Sequence, residues 1–415
     1  MILGKYSFGV GDRLGRQGKA QLQAIINAKK HGVNITPVWN KSHREHTTIK
    51  TAPGDVRTEA EEVVKALGWK GPFYVDADHI GLKNVDLFID SSDFFTIDVA
   101  DFVDQAIDEN EVTAFVNKHK KYIGRLSVRG IDKTFKIMKE QIVAVAHKFL
   151  PAIKQAGKIY RHIEAAKGIG TFVTEISMDE TDQPQTPIEM FFILAGVADE
   201  GIPAQTIAPK FTGRFNKGVD YAGDVVRFEK EFEEHIAVIA LAIKEFSLPE
   251  NLKLSIHSGS DKFSIYRSIN KAIKKFDAGV HIKTSGTTWL EELAGLAAAG
   301  GDGLTMAKRI YVEALSRFDE LCRPYAAVVD IDKDKLPLPE VVDRWSGDEF
   351  TDALHHDRTC DKYNPDFRQL LHVAYKIAAE MGTDYLNALE KYERIISRNV
   401  TKNIYERHIK PIFME

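Results

Sequence analysis

The chain has 415 residues, 44 % apolar and 28 % charged, an ordinary mix for a globular fold with room for one large domain and an appendage. Its 56 Lys and Arg against 60 Asp and Glu leave a net charge of −4, without the basic excess of a nucleic-acid binder. No apolar run reaches the roughly 18–20 residues of a membrane span, the first residues lack a signal-peptide pattern, and Cys322 and Cys360 can build neither a disulfide framework nor a zinc finger. A cytoplasmic enzyme acting on a small molecule is therefore expected, with no nucleic-acid or membrane partner.

Eight short β-branched or aromatic runs read as strands: Tyr6–Val10, Ile35–Trp39, Phe73–Asp78, Phe94–Val99, Thr171–Ile176, Gln205–Phe211, Leu252–His257 and Val280–Lys283. Helical patterns lie between them, at Ala20–Lys30, Glu59–Leu67, Ile188–Glu200, Glu229–Phe246, Lys262–Lys275 and Trp289–Ala299. In Glu229–Phe246, Phe232, Ile236, Ile239, Ile243 and Phe246 recur in steps of four and three, which draws one apolar stripe. Alternation of this kind predicts an α/β fold, a (β/α)8 TIM-type barrel over residues 1–323. The regularity fails after the fourth strand, where residues 98–166 read as a helical insertion. Its second helix, expected over Asp132–Gly157, carries Pro151, which should kink or interrupt it. A doubly wound sheet fits less well, because Gly9-Val-Gly11-Asp-Arg-Leu-Gly15 has one residue too many for a dinucleotide fingerprint. Pro324 and the segment Asp330–Pro339 read as a connector to a C-terminal helical extension, residues 324–415, placed to cap the barrel mouth.

Barrel chemistry is done where the strands end, so polar residues closing apolar strands are the candidates. The third strand closes with Asp76, Asp78 and His79, the fifth with Glu175, the seventh with His257, and the eighth holds His281 and Lys283. Three histidines at three strand ends suit a divalent cation such as zinc, manganese, cobalt, nickel or iron, with hydrogen-bonded structural histidines as the alternative. Asp78 and Glu175 could flank a substrate as an acid/base pair; a helix cap and a salt bridge are the plainer readings. Lys210, Arg214, Lys217, Lys262 and Lys283 would make the mouth electropositive, and Ser285 lies in a Thr/Ser-rich turn before a helix whose free N–H groups could meet an anion. Solvated lysines and an ordinary cap are the alternative there. His355, His356, Asp357 and His372 read either as a lid or as surface and helix residues.

The words Val75-Asp-Ala-Asp-His79, Thr174-Glu175, Phe211-Thr-Gly-Arg214, Ser255-Ile-His-Ser-Gly-Ser-Asp-Lys-Phe263, His281-Ile-Lys-Thr-Ser-Gly-Thr-Thr-Trp-Leu-Glu-Glu292 and Asn364-Pro-Asp-Phe-Arg-Gln-Leu-Leu-His372 resemble the tagaturonate epimerase family. The resemblance implies a metal-dependent barrel enzyme interconverting D-tagaturonate and D-fructuronate, with tagatose and fructose as a second substrate pair. It implies His79, His257 and His281 as metal ligands, Asp78 as proton acceptor and Glu175 as proton donor. In these sugars the inverted carbon is β to the ketone, so its hydrogen is not acidified and a retro-aldol route is favoured over direct proton exchange. Lys210, Arg214, Lys262, Lys283 and Ser285 are the expected contacts to the sugar or sugar acid. A Schiff-base aldolase using Lys283 or Lys210, a ketose 3-epimerase, and a non-catalytic barrel subunit of a tagatose-bisphosphate aldolase are the competing readings. The sequence is compatible with an oligomer.

Overall fold

The computed structural model describes residues 1–284 and 286–415. Among them ten strands form: β1 (Tyr6–Val10), β2 (Ile35–Ser42), β3 (Tyr74–Ile80), β4 (Phe94–Asp98), β5 (Gly124–Leu126), β6 (Phe135–Ile137), β7 (Val173–Met178), β8 (Thr206–Pro209), β9 (Lys253–His257) and β10 (Val280–Lys283). Eight of these close a parallel barrel in the order β1-β2-β3-β4-β7-β8-β9-β10, so the fold is the TIM-type (β/α)8 barrel that the eight runs predict.

The period-two alternation of each strand sorts its side chains. Phe8, Trp39, Val75, Phe95, Ile176, Leu254 and Ile282 belong to the core shared with the surrounding helices. Val38, Tyr74, Phe94 and Val173 instead cluster with Leu3, a small apolar plug inside the barrel. Two and four residues further along the same strands the inward positions turn polar: Asp76 and Asp78 on β3, Thr96 and Asp98 on β4, Glu175 and Ser177 on β7. The barrel is thus apolar at its base and charged at its mouth.

Two departures from regularity matter. β3 and β4 are joined by a single short 3-10 turn, Val85–Leu87, where a helix would be the norm. After β4 come a helix Glu109–His119, the antiparallel β5–β6 hairpin, and one long helix Lys139–Lys167. That helix starts later than the expected Asp132 and runs through Pro151 without a break. Close by, Lys148 O accepts a hydrogen bond from Asp104 N–H at 2.8 Å, a partner from outside the helix beside the position where proline supplies no donor.

Beyond residue 323 the chain is helical: Pro339–Asp343, Gly347–Leu354, Pro365–Val373, Tyr375–Met381, Thr383–Lys391, Glu393–Lys402 and a wide π-type helix Asn403–Met414. Helix Pro365–Val373 lies by the loops after β8, β9 and β10, where Trp289 Nε1 donates to Leu371 O at 2.7 Å. The last two helices run along the barrel's outer helices instead. Thr401 Oγ1 donates to Ala20 O and Asn270 Nδ2 to Ile412 O, both at 2.9 Å. No helix among the described residues is long and apolar enough to cross a membrane.

Candidate metal centre and active site

β3 carries one extra residue where it ends. Ala77 pairs with Phe95 but Ile80 with Ile97, and His79 adopts a left-handed φ of 54°. In a regular strand Asp78 and His79 would face opposite sides; the bulge lets both address the mouth. His79 Nδ1 lies 3.0 Å from Asp78 Oδ1, and the His79 ring stands 5.1 Å from that of His257, at the end of β9.

His257 repeats the arrangement, with its Nε2 2.8 Å from Glu175 Oε1 on β7. The remaining ring nitrogens, His79 Nε2 and His257 Nδ1, both face Asp179, at 3.5 and 3.0 Å from its carboxylate oxygens. Both are buried and without a hydrogen-bond partner among the described residues. His79, Asp179 and His257 each offer one ligand atom, all within 4.8 Å of one another, the one such group among the described residues. A carboxylate behind each imidazole takes the ring proton on its own side, so that in the neutral ring, the form a metal binds, the other nitrogen's lone pair faces forward. Two nitrogens and one carboxylate oxygen are a donor set that zinc and its first-row neighbours accept, so these residues fit a divalent cation. Burial disfavours a charged His257, yet Asp179 and Glu175 outweigh it and raise its pKa to about 9.

Below the imidazoles sits Lys283 on β10. Its Nζ lies 2.7 Å from Asp76, 2.8 Å from Asp78 and 3.0 Å from Glu175, all of them buried. Burial pushes Asp76 up to about 7, with Asp78 and Glu175 adding to that push and Lys283 opposing it. Burial also acts against ionised Asp78 and Glu175, but Lys283 and the histidines beside them hold both well below the ordinary carboxylate range.

The expected site residues divide accordingly. Asp78, His79, Glu175 and His257 come together. His281 does not join them: β10 pairs Lys283 with His257 but His281 with Ser255, so His281 lies about 6–7 Å deeper along the barrel. There its Nδ1 meets Ser7 Oγ at 2.9 Å and its ring packs by Phe94, while burial takes its pKa down to about 3. Asp179 occupies the third position in the group instead. Lys283 is not an open cation for a substrate, nor a Schiff-base amine, because its ammonium is held charged by three carboxylates. Lys262 is buried and donates to Asn216 O, Val219 O, Ser260 Oγ and Asp261 O, so it staples loops. Lys210 Nζ bonds Thr181 O, and the exposed Arg214 pairs with Asp330 at 3.1 Å. Ser285 lies outside the described residues. In the tail, His372 packs against Gly286 and His356 faces Asp261, both buried, while Asp357 is exposed.

Sequence reasoning missed Asp179, because ending the fifth strand at Ile176 hid a strand that continues to Met178 and delivers Asp179 to the mouth. The words Ser177-Met178-Asp179 held the signal, an acidic residue just past the strand.

A tagaturonate epimerase family model matches residues 2–412. The tagaturonate/fructuronate epimerase of Thermotoga maritima is 27 % identical over 417 residues, covering 97 % of this chain and 80 % of that protein. The crystal structure of fructuronate-tagaturonate epimerase UxaE from Cohnella laeviribosi superposes with a TM-score of 0.81 at 24 % identity, covering 99 % of this chain and 82 % of that one.

Proposed function

The chain belongs to the tagaturonate epimerase family, a family of isomerases, and from that premise we propose that it interconverts D-tagaturonate and D-fructuronate at a divalent metal centre held by His79, Asp179 and His257. The observation that carries the reading is the pair of forward-facing imidazole nitrogens sharing Asp179, each ring backed by a carboxylate. The cation, when bound, polarises the substrate's ketone and stabilises negative charge that develops beside it.

The residues supply the rest. The inverted carbon is β to the ketone, so the step that the chemistry favours is loss of the proton from its hydroxyl and cleavage of the bond toward the ketone. Rotation of the aldehyde face and re-formation of the bond then invert the centre. Asp78, held ionised by Lys283 and placed at the mouth, is the acceptor for that hydroxyl proton. Glu175 makes the same two kinds of bond as Asp78, to a histidine and to Lys283, but unlike Asp78 has no exposed surface, so it orients His257 and balances Lys283 in place of the donor role that the resemblance implies. Lys283 touches Asp76, Asp78 and Glu175 and itself stays charged while Asp78 takes and returns its proton.

Metal analysis of the purified protein, run beside chromatography of mixtures started from tagaturonate, fructuronate, tagatose and fructose, tests this reading. Stoichiometric metal with conversion of the uronates is expected. Metal-free protein that still epimerises would overturn the centre, and turnover of neither uronate would overturn the activity.

A further inference from the structure

The cations that the sequence places at the mouth are nearly all committed to partners within the protein. Lys283 meets three carboxylates, Lys262 four oxygens, Lys210 a carbonyl and Arg214 an aspartate. Arg13 pairs with Glu45 and stacks on Tyr375, its guanidinium 4.7 Å from the ring centre. Lys217 differs: among the described residues its Nζ has no hydrogen-bond or ion-pair partner.

Its backbone is nevertheless fixed. Lys217 N–H donates to Val328 O at 2.7 Å, and Gly218 N–H donates to Ser260 Oγ at 3.0 Å. Gly218 O accepts from Arg368 Nε, so tail and β9 loop clamp this turn from two sides. The side chain crosses Gly259, where an added Cβ would stand 3.1 Å from Lys217 Nζ; this glycine has a φ of 64°, which also favours a residue without one. A fixed backbone, a half-buried stem and a glycine kept clear beneath the ammonium amount to a donor aimed at something the described residues do not supply. Burial, then Arg13 and Arg44, oppose its charge, while Glu180 and Asp179 favour it. Arg13 follows β1, Arg44 follows β2 and Asp179 follows β7, and Lys217 crosses Gly259, two residues past His257, so its ammonium belongs to the mouth that the proposed metal group shares.

We propose that Lys217 is a specificity-determining residue that receives the carboxylate of a sugar-acid substrate. The proposal rests on the epimerase reading above, since a keto-uronate carries its carboxylate at the end of the chain away from the ketone that the metal centre would hold. A neutral ketose presents a hydroxymethyl group at that end and gains only a neutral hydrogen bond from Lys217, whereas a carboxylate gains a charge-assisted one in a half-desolvated place.

The test compares equilibrium binding of D-galactonate with that of galactitol, a sugar acid and its neutral alditol, to the metal-loaded protein and to its Lys217→Met and Lys217→Arg variants. Lys217→Met should weaken galactonate by about 10- to 100-fold and leave galactitol within about twofold, and Lys217→Arg should restore most of the preference. Lys217→Gln gives a second neutral variant should Lys217→Met unfold, which melting curves report. A parent protein that binds galactonate no tighter than galactitol, or neutral variants that keep the parental preference, would overturn the assignment. Conversion of tagaturonate by the parent protein judges the epimerase reading separately, so the two can fail independently.

Discussion

Lys283 Nζ lies 2.8 Å from Asp78 Oδ1, which makes this buried ammonium beneath the mouth a direct partner of the proposed base. Asp76 and Glu175 share it, so removing the amine would strand three buried carboxylates at once. Lys283→Met should therefore cost about 3–5 kcal/mol of stability at pH 8, the usual penalty for breaking a buried pair by deleting one partner. Turnover should fall by at least about 100-fold, the scale seen when one charge-stabilising donor is lost. The stranded carboxyls can take up protons, so the stability deficit should narrow toward pH 5. Denaturation at both pH values checks this, and parental stability at pH 8 would contradict the charge-balance role.

The third donor of the metal group can be told apart by substitution. Asp179→Asn and His257→Ala should each lose metal, measured as equivalents bound after dialysis, while His281→Gln, altered a layer deeper in the barrel, should keep it. Chelator treatment of the parent should abolish turnover and readdition restore it. Retention of metal by Asp179→Asn with its loss from His281→Gln would return the site to three histidines.

The barrel was readable because each strand is short, apolar on its outer face and β-branched, and all eight runs form strands within a few residues of their expected ends. The site was readable only in part, for reasons of register. Period-two logic puts Asp78 and His79 on opposite faces, and no residue type near them announces the bulge that brings both to the mouth. His281 and His257 look equivalent as strand-end histidines, and only the pairing of β9 with β10 shows that His281 sits one layer down. The basic mouth was overcounted because a lysine's partners, such as the carbonyls around Lys262, come from loops far apart in sequence. Pro151 misled because it costs the helix one hydrogen bond and a local clash, which the burial of Ile142, Phe149, Leu150, Ile153 and Ile159 along the same helix outweighs.

His235, on helix Val225–Phe246 with its ring edge-on to Phe211 at 5.7 Å, gives the fold an acid-sensitive element. Burial lowers its pKa to about 4, and Glu189 is the charged group bearing on it in the opposite direction. The unfolded chain would protonate this ring near pH 6.5. Between about pH 6.5 and 4 the unfolded state therefore binds a proton that the folded state refuses, so stability is highest above 6.5 and falls as pH drops. The loss integrates to about 3 kcal/mol by pH 4. His235→Phe should flatten the fall in melting temperature between pH 7 and 4; an unchanged slope would remove His235 as a source of it.

The tail is bolted to the β9 loop through Asp261. Arg368 Nη2 lies 2.7 Å from Asp261 Oδ2 with both side chains fully buried, and His408 Nε2 and Thr287 Oγ1 each lie 3.0 Å from Asp261 Oδ1. Arg368 also donates to Leu354 O and Gly218 O, so one guanidinium joins the tail, the β8 loop and the β9 loop that follows His257. Arg368→Met would leave Asp261 buried against His356, His408 and Thr287 without its guanidinium and free two carbonyls, costing about 3–5 kcal/mol. Pairing it with Asp261→Asn removes the stranded charge and should recover part of that loss, a coupling that single substitutions of unrelated residues would not show. Hydrogen exchange should rise in residues 258–262 of the Arg368→Met variant and much less in the β5–β6 hairpin. Equal protection in both segments would mean that the tail rests on the barrel without holding the loop.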